Sequence, residues 1–215
     1  MEAEEAVILT RRAYEADAAV WAARGLGRDY AQPRLEEFAA AVNRAGLGRL
    51  PVLDLGCGPG FDSDDLVRLG LGVVGLDITR AMLDLSASRR HERKDLVQGD
   101  SRFLPLAAAG FGGAWASASL LHLPKVQAPA ALAEVARAVA AGGMFYSAMK
   151  EGDRDRLDDP TPGAAIKSAR HFAHYRRDEW TRLVTAAGFD VLSQDIDRDQ
   201  RDGYPDWIVT LAARR

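Results

Sequence analysis

The chain has 215 residues, 47% hydrophobic and 27% charged, with 20 Gly and 9 Pro, a globular balance that excludes fibrous and disordered classes and a membrane-embedded composition. At roughly 150 residues per domain, residues 1–215 hold one sizeable α/β domain rather than two. Lys and Arg number 28 against 31 Asp and Glu, a net charge of −3, so no positive field draws nucleic acid or an anionic bilayer and small molecules are the expected partners.

The chain starts Met-Glu-Ala-Glu-Glu, acidic and without an apolar run behind it, so no export signal is expected and the location is read as cytoplasmic. Cys57 is the single cysteine, which excludes an intramolecular disulfide and fits a reducing compartment. The bias to arginine over lysine, with much alanine, fits a GC-rich bacterial genome. From Glu4 to about Ala23 the chain is helix-prone, and from Pro33 a second helix places Leu35, Phe38, Ala39 and Val42 on one stripe before Gly46 stops it. Short apolar runs then alternate with helical patterns. Val52–Leu55, Val73–Leu76, Leu96–Gln98, Ala114–Ser117 and Met144–Met149 read as strands. Between them, Asp62 or Ser63 is the expected cap of a helix ending at Gly70, Thr79 of one carrying Met82 and Leu83, and Pro129 opens one carrying Leu132, Val135 and Val139. The uncharged stretch from Phe103 to Leu121 has the length of a membrane span, but Pro105, Gly110, Gly112 and Gly113 interrupt it, and a loop entering a buried strand accounts for it. A charged segment follows Met149 to about His174. A helix capped by Asp178, with Trp180, Leu183 and Val184 on one face, then leads to two strands near Val191–Ile196 and Trp207–Ala212, joined by a loop holding Gly203 and Pro205. This β-α alternation predicts a Rossmann-like, doubly wound, seven-stranded mixed sheet with helices on both faces and a closing antiparallel strand.

Val52-Leu53-Asp54-Leu55-Gly56-Cys57-Gly58-Pro59-Gly60 sets three glycines where the first strand gives way to a helix, beside the crevice in which such sheets bind ligands. The nicotinamide fingerprint fits poorly, because its third glycine would fall at Phe61, and no Gly-Lys-Ser/Thr follows for a Walker loop. The second strand ends at Asp77, about 20 residues beyond the loop, where one carboxylate can accept both hydroxyls of a ribose. The third ends in Gly99-Asp100-Ser101, with an acceptor and a hydroxyl in reach of an adenine edge. Three neighbouring strand tips thus define one nucleoside site.

These motifs, with Leu104-Pro105, Leu121-His122-Leu123, Ala141-Gly142-Gly143 and Tyr175, Trp180 and Ala187-Gly188-Phe189 in the same order, resemble the class I S-adenosylmethionine-dependent methyltransferases of small-molecule type over almost the whole chain. The resemblance implies S-adenosylmethionine as cofactor and S-adenosylhomocysteine as product. It divides the chain into an N-terminal helical lid (1–48), a cofactor-binding core (49–150), a variable segment (151–176) and a C-terminal helix with β-hairpin (177–215). Asp54, Gly56, Cys57 and Gly58 would line the methionine moiety, Asp77 the ribose, Ile78 would pack on adenine, Asp100 and Ser101 would meet its amino edge, and Ser117 would lie near the methionine end. Tyr14 resembles the tyrosine of the lid helix, which would contact both cofactor and acceptor, although Glu15 stands where relatives often carry Asp. A second departure is Phe111-Gly112-Gly113, where relatives often read Phe-Asp.

In-line methyl transfer asks mainly for placement and exclusion of water. A base matters only if the acceptor must lose a proton, and His122, just past the fourth strand, is the candidate. Tyr14, His122, Lys150 and Tyr175 are the candidate acceptor-binding residues. The absence of an Asn-Pro-Pro-Tyr type of sequence at Ser117–His122 favours a small-molecule acceptor over nucleic acid, acted on by a monomer or homodimer without membrane attachment. His171 and His174 have helical spacing without a third ligand in an evident cluster, and Asp153, Asp155, Asp158 and Asp159 lack the glycine and spacing of a calcium loop, so no metal is expected. Two further readings stand beside this one: a non-catalytic module that binds S-adenosylmethionine or S-adenosylhomocysteine as sensor or partner subunit, and a nicotinamide oxidoreductase.

Overall fold

The structure, a computed structural model, describes residues 3–24, 31–89, 94–158, 168–199 and 204–215. Two helices, α1 (Ala3–Arg24) and α2 (Gln32–Arg44), precede an alternation of β1 (Val52–Leu55), α3 (Phe61–Arg68), β2 (Val73–Asp77), α4 (Arg80–Ser88), β3 (Lys94–Gln98), β4 (Phe111–Ser117), α5 (Ala128–Ala138) and β5 (Val139–Glu151). Then come β6 (Asp155–Asp158), β7 (Arg170–Tyr175), α6 (Arg177–Ala186), β8 (Phe189–Asp197) and β9 (Trp207–Arg214). Strands β3-β2-β1-β4-β5 run parallel in that spatial order, and β9 lies antiparallel to both β5 and β8. With β8 these make the seven-stranded mixed sheet expected, its last strand reversed, and β7 and β6 extend it to nine strands.

Alternation along the strands sorts the side chains into two cores. Leu53, Leu55, Ala114, Ala116 and Phe145 face α5 and α6, where Leu132, Val135 and Trp180 are fully buried. Val52, Trp115, Tyr146 and Leu211 face the other way, onto the α2 stripe of Leu35, Phe38, Ala39 and Val42. Burial on both faces is what a parallel strand needs, and β1 is buried at every position. Trp180 takes its indole N–H into the core and donates it to Ser147 Oγ at 2.9 Å, which satisfies both groups.

Local details depart from the expectations. The residue before α3 is Gly60, left-handed at φ 85°, and Asp62 and Ser63 lie inside the helix, where they bond to Trp115 and Asp54 instead of capping. Thr79 holds the cap position of α4 without a side-chain cap bond. Arg176, rather than Asp178, precedes α6, and its N–H is accepted by Glu179. Gly142 and Gly143 belong to β5 itself. The largest departure is the segment after β5. Residues Asp155–Asp158 and Arg170–Tyr175 pair as an antiparallel hairpin, and β7 joins the end of β5 at Lys150 and Glu151. Asp159, Lys167 and Gly203 lie outside the described residues. Among the described residues no helix is long and apolar enough to cross a membrane.

Candidate functional site

A cavity of about 900 Å3 opens at the carboxyl ends of β1, β2, β3 and β4 and runs on beneath α1. Its first wall is the glycine loop. Gly56 has φ 74°, and a Cβ built there would overlap the Ser119 side chain, so only glycine lets the β1 and β4 turns approach each other. Asp77 closes the adjoining wall. Its carboxylate accepts the N–H of Gly58 at 3.0 Å and of Thr79 at 2.8 Å. Burial raises the Asp77 carboxyl above the ordinary range, and these two N–H groups pull it back down. The result is a buried carboxylate oriented by backbone, at the tip of β2 and facing the cavity.

The β3 tip differs from the expectation in one respect. Burial would raise Asp100, but hydrogen bonds from Arg102 outweigh it and hold the carboxyl below its usual range. Arg102 N and Nε bond to Oδ1 at 2.9 and 3.0 Å, and Nε and Nη2 to Oδ2 at 3.1 and 2.6 Å. These contacts take up the acceptor capacity of Asp100. Arg102 also reaches Glu4 on α1 at 2.6 Å, so the β3 tip is tied to the lid helix. Nothing in the sequence spacing singled out Arg102.

Helix α1 is fastened across the site by three more contacts. Glu15 accepts the N–H of Ala81 at 3.2 Å, Thr10 Oγ1 accepts the N–H of His171 at 2.9 Å, and Tyr14 Oη lies 2.6 Å from His122 Nε2. His122 Nδ1 is 2.8 Å from the His171 carbonyl. Burial pushes the His122 imidazole down to about 3, helped by the neighbouring Arg170 charge. Both ring nitrogens are engaged, so His122 holds Tyr14 in place and does not present an open lone pair to the cavity, which corrects its expected role as direct base.

Asp54, Gly56, Cys57, Gly58, Asp77, Ile78, Asp100, Ser101, Ser117, Tyr14, His122 and Lys150 all line this one cavity. Tyr175 does not. It is fully buried against Trp180, with ring centroids 4.9 Å apart, and the Lys125 ammonium stands 4.8 Å from its ring. Its side chain belongs to the core beneath the β6–β7 hairpin. Cys57 is buried, and burial pushes its thiol up, which keeps it an unreactive wall residue. Lys150 is spoken for: its ammonium meets Asp199 at 2.6 Å and the Pro205 carbonyl at 2.5 Å, over the Trp207 ring. His171 pairs with Asp155 at 3.1 Å.

Two features escaped sequence reasoning. Ala118 adopts φ 54° at the end of β4, a strained conformation that non-glycine residues hold chiefly at functional sites. Beside it, Ser119 Oγ is buried at the cavity wall without a hydrogen-bond partner among the described residues. The far lobe, where Tyr146 stacks on Trp115 at 3.8 Å and Trp207 lies beyond, is assembled from three strands and has no contiguous signature.

Residues 52–143 match the family model described as Methyltransferase domain. The match covers the β1–β5 core, and the fold around it resembles that of solved S-adenosylmethionine-dependent methyltransferases. Over 166 residues the chain is 30% identical to Methyltransferase GfsG of Streptomyces halstedii, covering 72% of this chain and 58% of that protein. Over 102 residues it is 33% identical to the biotin biosynthesis bifunctional protein BioHC of Cellvibrio japonicus, covering 47% of this chain and 20% of that one. The chain thus spans less than two thirds of either relative's length. Among solved structures it resembles the 1,6-didemethyltoxoflavin-N1-methyltransferase of Burkholderia thailandensis, which holds its substrate and S-adenosylhomocysteine. The TM-score is 0.72 at 23% identity, over 100% of this chain and 91% of that one.

Proposed function

We propose that the chain is a bacterial, cytoplasmic S-adenosylmethionine-dependent methyltransferase of a small-molecule acceptor, working as one domain, a monomer or homodimer, on neither nucleic acid nor membrane. The observation that carries the reading is the meeting of the Gly56–Gly58 turn, the Asp77 carboxylate and the unpartnered Ser119 hydroxyl on one cavity. These residues fit the cofactor: a buried carboxylate suits a ribose diol, and a Cβ built at Gly58 would meet open space, which leaves room for a ligand against the backbone. When bound, S-adenosylmethionine supplies a methyl group on a sulfonium, and an acceptor lone pair displaces the thioether in line.

The chain's own residues then do three things. Asp77 holds the sugar end, Ile78 packs beside it, and Ser101 stands at the base edge in place of the saturated Asp100. Helix α1, fastened through Glu4, Thr10, Tyr14 and Glu15, covers the reacting centre and keeps water out, and such placement contributes up to about 7 to 11 kcal/mol in favourable cases. Tyr14, Trp21 and the lobe around Tyr146 and Trp207 bound the acceptor.

Calorimetric titration with S-adenosylhomocysteine tests this directly. Micromolar binding supports it, and no binding by folded protein overturns it. Binding with no turnover across a broad acceptor screen would favour a non-catalytic module.

A further inference from the structure

We infer that Tyr14 presents a hydrogen-bond acceptor to the cavity it lines, so that the methyl acceptor turns an N–H or O–H group to it, and not a carboxylate, a thiolate or a tertiary amine. The inference rests on the methyltransferase reading and deepens it.

The argument follows hydrogen-bond polarity from one fixed end. The His171 carbonyl can only accept, so the Nδ1 atom of His122, 2.8 Å away, carries the ring proton. In the neutral ring Nε2 is then an acceptor. Tyr14 Oη stands 2.6 Å from it and must spend its own proton there. From the other side Arg170 Nη1, which can only donate, reaches Tyr14 Oη at 3.3 Å. The phenol therefore has its proton committed, and a ligand that reaches its oxygen from the cavity it lines meets a lone pair and not a donor.

Packing locks this arrangement. The Arg170 guanidinium lies against the rings of Tyr14, Trp21 and Phe172 at 5.0 to 5.4 Å. The His122 ring is wedged edge-on between Tyr14 and Phe172, at 5.1 and 4.8 Å. A carboxylate or thiolate would set its lone pairs against that of Tyr14, while an N–H or O–H donates to it. Burial keeps His122 neutral, in line with this polarity.

The test uses full-length protein labelled with 15N-histidine and loaded with S-adenosylhomocysteine, with His122 assigned by His122→Gln. The expected spectrum shows the Nδ1-protonated tautomer at neutral pH. An Nε2-protonated ring or an imidazolium overturns the inference. Titration with aniline and phenol should shift the Nε2 resonance, and matched benzoate and N,N-dimethylaniline should leave it unchanged. Shifts by the latter pair, or by neither pair, overturn it. Tyr14→Phe should abolish the Nε2 shift that aniline and phenol produce, and a shift that survives the substitution overturns the acceptor claim. Calorimetry on the same sample reports the cofactor site by itself: absent binding there sinks the methyltransferase reading, whereas the His122 tautomer still reads the polarity.

Discussion

The Asp77 carboxylate accepts the Gly58 N–H at 3.0 Å, which ties the tip of β2 to the glycine loop that follows β1. One side chain thus shapes the loop and faces the ligand. Asp77→Asn keeps the size but replaces an acceptor oxygen by a donor, so it cannot satisfy Gly58 and Thr79 together. Charge-assisted hydrogen bonds contribute about 1.5–3 kcal/mol, so S-adenosylhomocysteine affinity should fall at least tenfold, and the melting temperature should fall as well because one of the two N–H groups loses its acceptor. Unchanged affinity by calorimetry would remove Asp77 from the site.

Gly56→Ala should be more damaging than Asp77→Asn. The new methyl meets Ser119 and the backbone sits at φ 74°, so the β1 and β4 turns must separate. The expected cost is about 1–3 kcal/mol of stability together with loss of ligand binding. A variant that melts and binds like the parent would show that the close approach is dispensable.

Beneath α3 and α4, Lys94 and Asp64 form an ion pair at 2.8 Å with both side chains almost fully buried, and Lys94 also donates to the carbonyls of Ser86 and Arg89. Removing one member strands buried polar groups. Lys94→Met should cost about 3–5 kcal/mol in denaturant unfolding, and a loss under 1 kcal/mol would show that Arg89, whose Nε already stands 2.6 Å from Asp64, compensates the carboxylate by itself.

Acid should loosen the region under the lid. Burial lowers the imidazoles of His122, to about 3, of His174, to about 4, and of His171. Each is neutral when folded and binds a proton more readily when unfolded, so stability is complete above pH 6.5 and is lost progressively as pH falls below it. The melting temperature should drop between pH 6.5 and 4.5, and less steeply in His122→Gln. Parallel profiles for the two proteins would mean that His122 is already solvated.

The order of strands, the glycine turn and the three strand tips were legible in the sequence because each is local. Hydrophobic alternation, a Gly-x-Gly-x-Gly turn and an acid at the end of a run all act over a few residues. The hairpin Asp155–Asp158 with Arg170–Tyr175 was not legible. Asp-Arg-Leu-Asp has no apolar alternation, and it is a strand only because β7, itself joined to the end of β5, offers it backbone partners. Tyr175 was misplaced for the same reason: pairing with Glu151 turns its ring into the core, against Trp180.

The sequence alone determined the fold and the strand tips that frame the site, since spacing along one chain specifies which groups stand at which strand tips. Tertiary structure decided the state of each group there. Arg102 saturates Asp100, Asp199 claims Lys150, and His122 hydrogen-bonds a tyrosine 108 residues away. Such pairings depend on how buried charges and hydrogen bonds are compensated in three dimensions, a condition that no local pattern encodes.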